Sequence, residues 1–202
     1  MSTLLIATRN KHKRVELERI LAAAGIGVEL VDLNSVPPFD EAPETAPDFE
    51  GNALDKARDA VRATGLAAVA DDSGLAVDAL NGMPGVLSAR WSGQHGQDKA
   101  NLELLLAQVR DVPEERLGAA FVSAAALVRP DGQETVVRGT WPGRLVREPR
   151  GTNGFGYDPI FAPLEEPEYT AAELSDERKD ELSHRGRALR ELLPALRAFA
   201  ES

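Results

Sequence analysis

LLIATRNKHKRVELERILAAAG, residues 4–25, is the stretch on which the fold assignment turns. Leu4 to Thr8 is apolar enough for a buried strand, and a basic turn follows it. Leu17, Ile20, Leu21 and Ala24 then fall at i, i+3, i+4 and i+7, one stripe of a helix, with Gly25 placed as its C′ stop. A second strand is expected around Val28 to Leu33. A strand, a helix and a strand in this order open an α/β protein.

The pattern continues outward from there. Asn34 to Pro47 holds four prolines and the acidic residues Asp40, Glu41 and Glu44, which makes it a loop. Asp48 is placed to cap a helix whose stripe is Phe49, Ala53, Ala57 and Val61, ending at Gly65. Ala67 to Ala70 is a short strand expected to end at an acidic turn, and Leu75 to Leu80 is a second strand or a connector. Gly82 to Gly93 is a glycine-punctuated loop before a helix carrying Leu102, Leu105, Leu106 and Val109 on one face. Ala119 to Val128 and Glu134 to Trp141, joined by Pro130-Asp131-Gly132, form a β-hairpin. Thr170 and Glu173 fit a capping box, and the terminal helix carries Leu189, Leu192, Leu193 and Leu196, with Pro194 expected to kink or weaken it. The expectation is an α/β fold around a mixed sheet.

Composition sets bounds on function. The 202 residues, 43% hydrophobic and 28% charged, suit one substantial core, without an internal repeat. There is no cysteine, so thiolate metal sites and disulfides are excluded, and three scattered histidines argue against a histidine-rich zinc site. No run is long enough for a signal h-region or a membrane span, so a cytoplasmic protein is expected. A net charge of −10 speaks against a broad nucleic-acid-binding face. A small polyanion remains compatible if a few local cations and a divalent metal offset its charge.

Four segments carry candidate chemistry. Thr8-Arg9-Asn10-Lys11-His12-Lys13 joins strand to helix, where N–H groups and the helix dipole receive phosphate; a solvated first turn fits equally. Asp71-Asp72 follows a buried strand, where ligands gather in α/β sheets. Neighbours on an extended chain point opposite ways, so one carboxylate faces the site, ligating Mg²⁺ or accepting a proton from water; a backbone-bonded turn is the alternative. Gly154-Phe155-Gly156-Tyr157-Asp158-Pro159 offers aromatic rings for base stacking, or two anchors for a loop. Ser183 caps the last helix and puts His184 and Arg185 in its first turn, with Lys179 five residues before His184. A bound anion relieves those cations beside the dipole, and solvent does so too. Trp91 and Trp141 read as packing residues, and His95 has no evident partner.

These segments, in order with Phe49-Glu50-Gly51-Asn52-Ala53, Ala70-Asp71-Asp72-Ser73-Gly74-Leu75, Pro84 to Arg90 and Ser183-His184-Arg185-Gly186, resemble the inosine/xanthosine triphosphate pyrophosphatase family from about residue 4 to residue 198. The resemblance implies a single domain over residues 1–202 with two lobes about a central elongated mixed sheet, the active-site cleft lying between them. It implies hydrolysis of ITP, dITP and XTP to monophosphate and pyrophosphate, removing deaminated purines from the nucleotide pool, with Mg²⁺ as cofactor and a homodimer as the assembly. By the same resemblance Thr8, Arg9, Asn10, Lys11, His12 and Lys13 bind phosphate, and Asp72 is proton acceptor and metal ligand. Glu44 is a second metal ligand, and Ser73, Phe155, Gly156, Tyr157, Asp158, Lys179, His184 and Arg185 contact the substrate. Arg9 stands where the family often has Gly, and Gly51 where many members carry Glu.

Overall fold

The computed structural model describes residues 2–40 and 43–202, the side chain of His12 excepted. Glu41 of the acidic loop lies outside the described residues. Among the described residues six strands form one mixed sheet in the order β2-β1-β3-β4-β5-β6. They are β1 (Thr3–Ile6), β2 (Glu29–Asp32), β3 (Ala67–Val77), β4 (Gly118–Val128), β5 (Glu134–Leu145) and β6 (Phe161–Pro163). β1 pairs in parallel with β2 and with β3, whereas β5 and β6 are antiparallel. Among the described residues five α-helices accompany them: α1 (Lys11–Ala23), α2 (Phe49–Thr64), α3 (Asp98–Gln108), α4 (Asp176–Leu182) and α5 (His184–Ala200).

The chain divides into two compact units. The first comprises residues 1–72, 123–139 and 185–202. Its strands show why the sheet is buried on both faces. Leu4 and Ile6 of β1, with Ala67 and Val69 of β3, pack with Leu17 and Leu21 of α1 and Leu189, Leu192 and Leu196 of α5. The intervening Leu5 and Ala68 pack instead with Ala60 of α2. A side-chain period of two along each strand thus separates two helical layers. Asp48 caps α2 by accepting the Gly51 N–H at 2.8 Å.

The second unit comprises residues 73–122 and 140–184. Its core gathers Leu75 and Val77 of β3, Leu102 and Leu105 of α3, and the rings of Phe121, Trp141, Tyr157 and Phe161. Phe121 meets Phe161 edge to face, with centroids 4.6 Å apart at 64°.

Two expectations are corrected. The acidic pair does not terminate a strand, because β3 runs unbroken through Asp71-Asp72-Ser73-Gly74 to Val77. Gly74 makes this possible: a Cβ there would run into the Gly85 carbonyl and the Ser88 side chain. Thr170 and Glu173 make one arm of a capping box, the Thr170 N–H donating to Glu173 Oε2 at 2.7 Å, but no helix follows. The helix starts later, after Ser175, whose hydroxyl accepts the Arg178 N–H. α5 contains Pro194 and buries Leu189, Leu192 and Leu196.

Candidate active site

In the first unit, the strand period that sorts Ala67 to Val69 between two layers also sorts the carboxylates. Asp71 continues the row of Ala67 and Val69, and it meets α1 and α5. Lys13 Nζ donates to its Oδ2 at 2.8 Å, and Arg185 Nε approaches the same oxygen at 3.4 Å. Arg185 also reaches Glu16 Oε2 at 3.4 Å, so a buried chain of alternating charges crosses this face. Burial alone would raise the Asp71 carboxyl, but Lys13 and Arg185 outweigh it and hold it well below the usual carboxylate range. Burial lowers the Lys13 ammonium in spite of Asp71, with the Arg185 charge adding to the effect.

Asp72 lies in the other row and meets α2. Asn52 Nδ2 donates to its Oδ2 at 3.0 Å and Lys56 Nζ to its Oδ1 at 3.0 Å. Asn52 is itself fixed, because its Oδ1 accepts the Ala46 N–H at 3.0 Å. Burial pushes the Asp72 carboxyl above its ordinary value, Lys56 and Asn52 pull it back only in part, and the Glu44 charge adds to the rise. Adjacent residues therefore have opposite tendencies, one locked as an anion and one made more basic.

Glu44 Oε1 lies 2.5 Å from Lys56 Nζ, the ammonium that also meets Asp72. Burial would lower this ammonium, and the Asp72 and Glu44 carboxylates more than offset that. Two carboxylates aimed at one cationic centre offer hard oxygen donors of the kind Mg²⁺ takes, one or two carboxylates being completed by water and phosphate. Among the described residues no group of three or more His, Cys, Asp or Glu side chains is placed to hold a metal alone. The donors present fit a metal that shares its shell with a substrate.

The remaining residues of the first segment sit around the start of α1. Thr8 Oγ1 accepts the Asn10 N–H at 3.1 Å and shapes the turn. Arg9 and Lys11 are exposed, and the His12 side chain lies outside the described residues. At Gly51, a Cβ would fall 2.6 Å from the Ala46 Cβ, so the proline-rich loop closes onto α2 in a space that a glutamate would fill.

The second unit holds a cavity of about 120 Å³, bordered by Ser73, Gly74, Phe121, Phe155, Asp158 and His184 among others. His184, buried, stacks on Phe121 with centroids 4.9 Å apart at 12°, and lies near-parallel to Trp141 at 6.4 Å. Lys179 Nζ donates to Asp158 Oδ2 at 2.5 Å and sits 5.5 Å from the centre of the Phe155 ring. Gly154 permits this: its φ is +76°, and a Cβ would collide with Asp158 Oδ2 and Lys179 Nζ.

The two aromatics of the loop differ. Phe155 is 52% exposed, whereas Tyr157 is buried and its hydroxyl donates to the Ser88 carbonyl at 2.9 Å. Burial, with the Asp98 charge, raises the Tyr157 phenol well above its ordinary value. Of the two rings expected to stack on a base, Phe155 is the accessible one and Tyr157 is a strut.

In the first unit the structure thus joins Lys13 and Arg185 to Asp71 on one face of β3 and, through Lys56, Glu44 to Asp72 on the other; in the second it gathers Ser73, Phe155, Gly156, Tyr157, Asp158, Lys179 and His184 around the cavity. Sequence reasoning passed over Asn52 and Lys56. Their signal was spacing: they stand at i and i+4 on α2 and so share a face. His95, expected to have no partner, lies with Nε2 3.2 Å from Arg90 Nη1.

Fold and site define an α/β protein with a carboxylate and cation centre on its sheet and an aromatic-walled cavity. The chain belongs to the Ham1 family, whose model matches residues 4–195. It is 65% identical over 202 residues to the dITP/XTP pyrophosphatase of Nocardia farcinica, covering 100% of this chain and 98% of that protein. It is 62% identical over 201 residues to the dITP/XTP pyrophosphatase of Mycobacterium tuberculosis, covering 99% and 98% respectively. Among solved structures, the dITP/XTP pyrophosphatase of Mycobacterium abscessus matches with a TM-score of 0.81 at 63% identity, over 96% of this chain and 100% of that one. A HAM1 protein of Coxiella burnetii matches with a TM-score of 0.85 at 36% identity, over 97% and 98%.

Proposed function

We propose that this chain is a nucleoside-triphosphate pyrophosphatase that hydrolyses dITP, ITP and XTP to the monophosphate and pyrophosphate. Identity of 57–65% with dITP/XTP pyrophosphatases along the whole chain supports the reaction class. The observation that carries the mechanism is the opposed placement of the two carboxylates, Asp71 bound to Lys13 and Arg185 and Asp72 to Asn52 and Lys56.

Asp72 is the proton acceptor. Its raised pKa makes it a better base than an exposed carboxylate, and Asn52 and Lys56 fix its orientation. Water attacks the α-phosphorus, its proton passes to an Asp72 oxygen, the bond to the β-phosphate bridging oxygen breaks, and pyrophosphate leaves. Asp71 stays ionised, and holds Lys13 and Arg185 in place. An ammonium has three donors, so Lys13 contacts phosphate oxygens while keeping its bond to Asp71. Asp72 and Glu44 are the residues that would hold Mg²⁺, which when bound offsets the charge of the triphosphate.

The purine occupies the cavity of the second unit. Phe155 stacks on it, Lys179 beside that ring contacts the substrate, and His184 is held by Phe121 and Trp141 in a fixed ring plane. A donor facing the 6-keto group of hypoxanthine or xanthine leaves the amino group of adenine unmatched, which disfavours ATP. On the same reading the enzyme works in the cytoplasm as a homodimer, and light scattering at assay concentration reads the dimer directly. No helix among the described residues is long and apolar enough to cross a membrane.

The test of the reaction is ³¹P NMR of protein with Mg²⁺ and ITP, XTP, GTP or ATP. Monophosphate and pyrophosphate from ITP and XTP, and not from ATP, are expected. Diphosphate with orthophosphate would move the attack to the γ-phosphorus and refute the proposal.

A further inference from the structure

Asp98 is the first residue of α3, and its carboxylate does more than face a helix dipole. Its Oδ2 accepts the backbone N–H of Gly156 at 3.0 Å, across 58 residues of sequence. One residue earlier, the N–H of Phe155 is taken by Asp158 Oδ2 at 2.8 Å. The two peptide N–H groups that bracket the Phe155 side chain are therefore both held by carboxylates, one within the loop and one from α3. The ring itself is 52% exposed, with the Lys179 ammonium 5.5 Å from its centre. Its neighbours Gly154 and Gly156 adopt φ of +76° and +62°, a conformation glycine takes readily but, being free to leave it, does not by itself fix. Asp98, Phe155 and Gly156 border the same cavity.

We propose that Asp98 is a positioning residue for purine binding: its hydrogen bond to the Gly156 N–H sets the pose of the Phe155 ring, and so governs affinity rather than the hydrolytic step. This rests on the reading of the cavity as the base site. The competing role is purely structural, a negative charge at the start of α3. The two roles separate by substitution, because Asp98→Asn loses the charge and keeps an oxygen that accepts the Gly156 N–H, while Asp98→Ala loses both.

Steady-state kinetics with ITP and Mg²⁺ are expected to show KM rising about tenfold in Asp98→Ala with kcat within about twofold of wild type. Asp98→Asn is expected to stay near wild type. In a Phe155→Ala background, Asp98→Ala is expected to have no further effect on KM. Backbone amide exchange of the nucleotide-free full-length protein, followed by NMR, should quicken at Gly156 in Asp98→Ala and much less in Asp98→Asn. Equal KM changes in the two variants, an unchanged KM in Asp98→Ala, or an unaltered Gly156 exchange rate would each overturn the proposal. Wild-type protein that hydrolyses no ITP would overturn the functional reading itself, an outcome the exchange measurement keeps distinct from loss of the Gly156 bond.

Discussion

The carboxylate centre of the first unit and the cavity of the second use polar groups in opposite ways. In the first, charges are held mostly by other charges: Asp71 by Lys13 and Arg185, Asp72 by Lys56 with the Asn52 amide. In the second, apolar rings make the wall, and the polar bonds mostly tie backbone in place: Tyr157 to Ser88, Asp158 to Phe155, Asp98 to Gly156. The difference implies that substitutions among the charges of the first unit act on chemistry or on stability, whereas in the second the exposed ring acts on binding and the groups that tie the backbone act on stability.

Asp72→Asn tests the sharpest part of this contrast. Loss of a general base is expected to lower kcat by about 10²–10⁴-fold. Because the folded-state pKa of Asp72 is raised above its unfolded value, its charge contributes no stability at neutral pH, so the isostere is expected to leave Tm unchanged or slightly higher. Carbonyl-carbon NMR of the metal-free wild type should place the Asp72 titration above the ordinary value of 3.8.

Asp71→Asn should do the reverse in stability. It leaves Lys13 and Arg185 buried beside a neutral amide, at a cost of about 3 kcal/mol, or about 6–12 °C in Tm for a chain of this size. The native pKa of Asp71 is depressed, so its contribution is complete above the unfolded carboxylate range and is lost as pH falls below it. Melting curves of wild type and variant should therefore converge in acid and stay apart at neutral pH.

In the second unit, Phe155→Ala is expected to raise KM for ITP about tenfold, the loss of one stacking partner, with Tm unchanged because the ring is exposed. Tyr157→Phe sharpens the distinction between the two rings. It removes the bond to the Ser88 carbonyl, worth about 1 kcal/mol, so Tm should fall by about 2–4 °C while KM stays nearly constant.

Much of this was legible in the sequence where a pattern was local. The period-3.6 stripes found α1, α2, α3 and α5, and the alternation along a strand foretold that Asp71 and Asp72 face opposite ways. The continuity of β3 was not legible, because Asp, Ser and Gly are poor strand formers and only the surroundings hold them extended: ion pairs around the aspartates and Ser88 against Gly74. Lys56 was missed for a related reason. A lysine on a helix reads as solvated until Glu44 and Asp72, distant in sequence, are brought to it. Phe155 and Tyr157 were indistinguishable as letters, and the hydroxyl bond to Ser88 separates them.

The central claim is that water, deprotonated by Asp72, attacks the α-phosphorus. Hydrolysis of ITP in ¹⁸O-enriched water, with isotope shifts read by ³¹P NMR, tests it most directly. The account predicts one ¹⁸O in the monophosphate and none in the pyrophosphate. Label in pyrophosphate would place the attack on the β-phosphorus, and label in orthophosphate on the γ-phosphorus; either result contradicts it.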